Sequence, residues 1–279
     1  MLGAMPGLRA LSLAGLALHD AGWSLIRDAL SSTPLTSLNL SNCRLGDWFL
    51  LFRPPCTGFV ATRVTRPQLT PCSHPADLPA PSGEAAGCAP AMRGALRVLD
   101  ISHNRLRAFP EDLFKQLRSL PAVRSLSVGT PRHGLNVVPP LAMLRTGVAF
   151  HLHSLDLSFL PLAKHMHMLR AALAAHAGLT ALSMHSAGLQ LQSIPDVAAM
   201  LRGLPALKHL RLGNNALADP HGRGVLPAAL GTLTALELLS LPFCALNAMD
   251  VSGLIEHVCG LSRLQVPSPT TPSPMSILP

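Results

Sequence analysis

The 279-residue chain has no tyrosine, 2 tryptophans and 8 phenylalanines. Protein-binding hot spots are enriched in Trp, Tyr and Arg, and base-stacking grooves are built on aromatic rings. Few aromatic anchors are therefore on offer, and a stacking-type nucleic-acid groove ranks low. Acidic residues are also few: 14 Asp and Glu stand against 22 Lys and Arg, a formal net charge of +8. No apolar run approaches the roughly 20 residues of a membrane-spanning helix. There is no C-x-x-C among Cys43, Cys56, Cys72, Cys88, Cys244 and Cys259; two of them, Cys43 and Cys244, hold a repeat turn position where a buried free thiol is expected, which favours a reducing, intracellular and cytoplasmic setting. A P-loop, G-x-G-x-x-G, G-x-S-x-G and H-E-x-x-H are all missing, so the sequence reads as non-catalytic, with no cofactor.

What the chain has in abundance is leucine, and it is spaced. Leu207-Lys208-His209-Leu210-Arg211-Leu212-Gly213-Asn214-Asn215-Ala216-Leu217 reads L-x-x-L-x-L-x-x-N-x-L. The same phrase starts at Leu8, Leu35, Leu96, Val123, Leu152, Leu179, Leu207, Leu236 and Leu261, with spacings of 27, 61, 27, 29, 27, 28, 29 and 25. A near-constant period is the signature of a repeat architecture. The L-x-L part is a short strand with leucines inward and the alternate residues outward. No strand of that length buries its leucines alone, so stability comes from stacking. The ninth position sits where the chain turns away. Asn104 and Asn215 there suit the bonding of leftover backbone groups, and Cys43 and Cys244 hold the same place. Elsewhere it is Leu16, Pro131, Leu160 and Ala187, so any ladder at this position is broken.

Helical periodicity fills the second half of several repeats. Residues 20–30 put Leu25, Ile26, Ala29 and Leu30 on one face, and residues 164–176 do so with Met168, Leu169, Ala172 and Leu173. Residues 197–204 and 249–258 are shorter versions. Long repeats of this kind, at Leu35 to Leu45, Leu96 to Leu106, Leu207 to Leu217 and Leu236 to Leu246, resemble the ribonuclease-inhibitor class of leucine-rich repeats. The resemblance covers about four fifths of the chain. It implies an α/β horseshoe solenoid of about nine repeats, with a parallel concave sheet, helices on the convex side, and a protein as partner. It names no partner.

The period divides the chain. Repeats one and two occupy residues 1–45, and repeats three to nine residues 96–266. Between them, residues 46–95 are a Pro-rich irregular insertion carrying Pro54, Pro55, Pro67, Pro71 and other prolines; such composition does not build a packed core. It reads either as a functional insertion or as an unspliced intron carried into translation. Trp48 to Phe52 is its one apolar knot. Residues 267–279 read as a disordered Pro/Ser tail. Met1 to Leu18 has the length of a secretory apolar core, but its leucines fall in repeat register, so a first repeat is the expectation. No polar cap precedes it, which suggests a longer protein or a covered edge.

Outward strand positions define the expected binding surface: a small, serine-rich wall with Asp100 and Asp156 at its centre and His185, His209 and Arg211 later. No aromatic residue takes an outward strand position. A second candidate is a basic patch, Arg105, Arg107, Arg118, Arg124 and Arg132, within a stretch of nine basic and three acidic residues between Arg93 and Arg145. Metal readings are weak. His151 with His153 flanks a strand start, and His165 with His167 does not share a helical face. Cys56, Cys72, His74 and Cys88 match no usual zinc spacing. The leading function is a non-catalytic protein-binding scaffold. A regulator of a partner enzyme, of GTPase-activator or inhibitor type, is the alternative, and nucleic-acid attachment through the basic stretch ranks below both.

Overall fold

The structure, a computed structural model, describes residues 7–30, 33–46, 94–104, 117, 120–130, 141, 144, 151–219, 221–222 and 224–265. The Pro-rich stretch from 47 to 93 and the tail from 266 lie outside them.

Eight three-residue strands form one parallel sheet in chain order. They are β1 Ala10–Ser12, β2 Ser37–Asn39, β3 Val98–Asp100, β4 Ser125–Ser127, β5 Ser154–Asp156, β6 Ala181–Ser183, β7 His209–Arg211 and β8 Leu238–Ser240. Each begins two residues after a leucine (or valine) start, and neighbours pair start to start. Ser37 faces Val98 although 61 residues separate them, so the sheet crosses the long interval without a slip. The ninth start continues the ladder by one bond, Gln265 N–H to Glu237 O at 2.8 Å. The sheet is the concave face of a leucine-rich-repeat solenoid, and helices line the other side.

The middle residue of the strands points inward. Leu38, Leu99, Leu155, Leu182 and Leu210 are at most 1% exposed. Together with the apolar residues at the starts and sixth positions (Leu, Val, Ile or Met) they form one continuous core that runs the length of the described array. Three residues before four of the starts the chain folds back on a buried apolar side chain: Leu120, Leu204, Leu233 and Val258. His176 holds this place before Leu179 and is equally buried, at 6%.

Among the described residues the helices with stated bounds are α1 His19–Leu30, α2 Met166–Leu173, α3 Ile194–Arg202, α4 Val225–Gly231 and α5 Ala248–Val258. Short 3-10 turns lead into α2 and α3. Pro195 in the first turn of α3 fits where an N–H has no helical partner anyway, and Asp196 and Arg202 sit at the ends the helix dipole favours. A reciprocal cap opens α5: Asn247 Oδ1 accepts from Asp250 N–H at 2.9 Å, and Asp250 accepts from Asn247 N–H at 3.0 Å.

Two expectations about helices need correction, and a further helix is one the sequence did not single out. In α1 the core anchor is Trp23, fully buried, while Leu25 is 80% exposed. The indole fills the space that the period assigned to Leu25. Helix α2 ends at Leu173 rather than His176, because the chain must turn there to reach the next strand. Helix α4 was hidden by its flanking Gly224, at φ +62°, and by Pro227 inside its first turn.

Candidate functional site

The turn that leaves each strand is built by the same backbone device in almost every repeat. The eighth residue adopts the left-handed conformation: Gly15, Asn42, His103, Phe159, Ser186, Asn214 and Phe243 have φ between +53° and +79°. Its N–H then donates to the seventh carbonyl of the next repeat. Examples are Asn42 N to Ser102 O at 3.0 Å, Phe159 N to His185 O at 2.8 Å and Asn214 N to Pro242 O at 2.7 Å. Non-glycine residues pay in strain for this conformation, and the inter-repeat bond offsets it. Thr130 is the exception and is not left-handed, as expected of a β-branched residue. Beside it, a Cβ at Gly129 would collide with the backbone carbonyl of Ser158.

One residue further on, the Asn and Cys positions do what their chemistry allows. Asn104 is 2% exposed. Its Oδ1 accepts from Cys43 N–H at 3.0 Å and Leu45 N–H at 3.1 Å, and its Nδ2 donates to Leu40 O and Ile101 O, both at 2.8 Å. Asn215 repeats this, accepting from Leu189 N–H at 3.0 Å and donating to Met184 O and Leu212 O. Cys43 and Cys244 supply only the donor half strongly, Cys43 Sγ to Leu13 O at 3.0 Å and Cys244 Sγ to Leu212 O at 3.3 Å. Burial pushes both thiols above the ordinary cysteine value, and nearby backbone N–H groups pull the other way.

This scaffold sets the geometry of the wall. Asp100 and Asp156 are half-buried at the last position of β3 and β5. One carboxylate oxygen of each accepts a backbone N–H two residues on, from Ser102 and Ser158, both at 2.9 Å. Each carboxylate is therefore held in place with its second oxygen left over. An open groove of about 1110 Å³ lies over these strands; Asp100, Ser127, Asp156, His103 and Arg211 all line it. Arg211, at the end of β7, is half-buried. Burial lowers its pKa from the ordinary arginine value, and the negative charge of Asp156 opposes that.

His209 lies on the same strand but belongs to a different group. Its ring approaches Glu237, Nε2 to Oε2 at 3.8 Å, and Glu237 is also bound by Lys208 Nζ at 2.8 Å. Burial holds the His209 pKa below the usual histidine value; Glu237 raises it, and Arg211 and Lys208 lower it. The Lys208 hydrogen bond holds the Glu237 carboxyl below its ordinary range. His185 is not on a strand: β6 ends at Ser183, and His185 sits in the following turn.

That turn carries what outward strand positions do not show. Phe159 stands between His103 and His185, with ring centroids 5.1 Å and 5.5 Å away and both pairs edge-to-face. Three rings thus form a rim along the groove. Phe243 follows in the same repeat position and is 86% exposed. His103, Phe159 and Phe243 take the eighth position of the repeat and His185 the seventh, places the period defines but to which sequence assigns no direction. Gly213 makes room for this rim: a Cβ there would lie 2.8 Å from His185 Nδ1 and 2.7 Å from Pro242 Cγ.

Of the expected basic patch, Arg105, Arg107, Arg118 and Arg132 lie outside the described residues. Arg124 is described and is anchored at the strand entrance, its Nη1 donating to Pro121 O at 3.0 Å and Val123 O at 3.2 Å. Among the described residues no group of three or more His, Cys, Asp or Glu side chains is placed to hold a metal ion. His151 and His153 are exposed, and the His153 ring meets the His151 carbonyl. Nor is any described helix long and apolar enough to cross a membrane.

Comparison with a protein-family model agrees with this architecture. The family model described as Leucine Rich Repeat matches residues 34–54 and 95–117, the second and third repeats. No curated protein matches the chain. Among solved structures, the chain is similar to the crystal structure of an internalin from Listeria monocytogenes. The two are 14% identical, with a TM-score of 0.33 over 85% of this chain and 68% of that one.

Proposed function

We propose that this leucine-rich-repeat protein is a non-catalytic scaffold that binds another protein on its concave wall. The observation that carries the reading is the wall itself. Eight strands in unbroken register present polar side chains over a rigid core, and the groove they line holds opposite charges, Asp100 and Asp156 against Arg211. Its backbone groups are already used by the ladder, so recognition falls to side chains. A polar, lightly charged wall with a rim of rings suits a surface read by complementarity rather than by one deep anchor.

The same reading sets the compartment. Cys43 and Cys244 are free thiols that donate to backbone carbonyls in the core. Those bonds need the reduced form, which favours an intracellular, cytoplasmic setting.

The test is affinity purification of the tagged full chain from its source cells, with nuclease treatment and low- and high-salt washes, followed by mass spectrometry. A stoichiometric protein that survives both washes supports the scaffold. Loss of all bound material under nuclease would contradict it and turn attention to the basic stretch, since phosphate-driven binding falls steeply with salt.

A further inference from the structure

The second position of each repeat stands just ahead of its strand, and the backbone ties these positions into one row. The carbonyl of Arg9 accepts from Thr36 N–H at 2.7 Å, that of Thr36 from Arg97 N–H at 2.8 Å, and that of Arg97 from Arg124 N–H at 2.8 Å. The Arg124 carbonyl accepts from His153 N–H at 2.7 Å, and the series runs on through Thr180 and Lys208 to Glu237. Neighbours in the row are therefore one strand spacing apart, about 4.8 Å at the backbone. Its charges are divided. Arg9, Arg97 and Arg124 fall in the first four repeats, with His153 after them, and Glu237 stands at the far end. No acidic residue takes the second or third position of the first seven repeats.

The row itself shows how it treats an acid. Glu237 stands one spacing from Lys208, and its Oε1 accepts from Lys208 Nζ at 2.8 Å. Arg97 and Arg124 are also one spacing apart, but both are cations. Like charges on adjacent strands repel, and among the described residues no Asp or Glu forms an ion pair with Arg9, Arg97 or Arg124. Two of these guanidiniums are held in place: Arg124 Nη1 donates to Pro121 O and Val123 O, and Arg9 Nη1 donates to Pro34 O at 3.3 Å.

We infer that the row from Arg9 to His153 receives an extended acidic segment of a partner protein, with one carboxylate shared by Arg97 and Arg124. Such a carboxylate takes an N–H from each guanidinium fork. It relieves the repulsion between them and does there what Glu237 does beside Lys208. A phosphate chain fits less well. No Phe, Tyr or Trp takes the second or third position of any repeat to stack a base, and Asp100 and Asp156 on the same wall repel a uniform polyanion. A peptide needs to be acidic only where it meets the row.

The inference rests on this face being the protein-binding surface. Its test is a titration of the full chain, isotope-labelled, with the blocked heptapeptide Gly-Glu-Gly-Glu-Gly-Glu-Gly up to about 10 mM, where millimolar binding registers, read by amide chemical shifts. A second titration replaces each Glu of the peptide by Gln. A third uses tetrathymidylate, which carries the same number of negative charges on phosphates. The expected result is a saturable shift at the Arg97 and Arg124 amides and their strand neighbours with the glutamate peptide, none with the glutamine peptide, and weaker binding of tetrathymidylate. Arg97→Gln and Arg124→Gln should each weaken binding about tenfold, as loss of a charge-assisted bond implies. Arg202→Gln, which removes the same charge from the exposed end of α3, should leave it unchanged. No saturable shift, equal binding of the glutamine peptide, or equal losses in Arg97→Gln and Arg202→Gln would each overturn the assignment. Tighter binding of tetrathymidylate would overturn it in favour of nucleic acid. A stoichiometric captured protein without any response to the acidic peptide would remove the acidic partner and leave the scaffold. Peptide binding with no captured protein would do the reverse.

Discussion

Replacing Asn104 by alanine removes the side chain that joins the repeat before the Pro-rich interval to the repeat after it. The loss can be worked from its bonds. Its Oδ1 is the acceptor for the Cys43 and Leu45 N–H groups, and its Nδ2 serves the Leu40 and Ile101 carbonyls. The site is buried, so alanine leaves two donors and two acceptors without partners. An orphaned buried polar group costs about 1–3 kcal/mol, and partial relaxation or a single entering water recovers some of that. We expect Asn104→Ala to destabilise the array by roughly 3–5 kcal/mol. Asn104→Cys provides the internal control, since Cys43 and Cys244 hold the same position in other repeats. A thiol donates one bond to a carbonyl but is a weak acceptor, so about half the loss should return, roughly 1.5–2.5 kcal/mol. Urea unfolding followed by circular dichroism measures the total. Because repeat arrays unfold in parts, hydrogen exchange at the Cys43 and Leu45 amides measures the local effect. A loss below about 1 kcal/mol with unchanged exchange at those two amides would refute the reasoning.

Other consequences follow from single features. His176 fills a position that leucine or valine holds in four other repeats, and its Nδ1 is buried without a partner; its other ring nitrogen meets Leu144 O at a long 3.3 Å. His176→Leu should therefore raise stability by about 1 kcal/mol, measured as a higher urea midpoint at constant slope. Cys259 is exposed while Cys43 and Cys244 are buried with raised thiol pKa; brief iodoacetamide treatment of the native protein should label Cys259 and spare the other two, by peptide mass mapping. Burial lowers the His209 pKa, so the unfolded chain binds that proton more readily than the folded one. Stability should then hold above about pH 6.5, the unperturbed histidine value, and fall as pH drops below it. Glu237 is depressed as well and adds a second loss at lower pH, below the ordinary carboxylate range. His209→Gln should remove the first phase and leave the second.

The leucine period made the solenoid legible, because each inward leucine is useless without the next repeat and the pattern cannot drift. Strand residues followed from period-two alternation, which also places Asp100, Asp156, His209 and Arg211 on the wall. The turn chemistry of Asn104 and Asn215 was legible for the same reason: an amide both donates and accepts, and the turn needs both. What escaped was decided by the fold rather than by residue type. The left-handed eighth position takes Gly, Asn, His, Phe and Ser alike, so no sequence preference announces that His103 and Phe159 meet there, with His185 of the seventh position beside them. Trp23, the fifth residue of α1, is fully buried while Leu25 is 80% exposed, so the core takes the large ring rather than the residue that aliphatic periodicity selects. Helix α4 was obscured by glycine and proline, which the stacked neighbours on either side override. The pairing of Ser37 with Val98 needed the register across the long interval, and register across 61 residues is a property of the sheet.

The claim that the wall is the binding surface is tested most directly by site-specific photo-cross-linking in source-cell extract. A benzophenone-bearing amino acid built in at position 154, which avoids labelling the exposed Cys259, reports from the groove, and one built in at position 192 reports from the exposed turn ahead of α3. The account predicts that the groove probe joins the chain to one discrete protein, and that the convex probe does not. Equal cross-linking from both positions, or a discrete product from the convex probe alone, would contradict it.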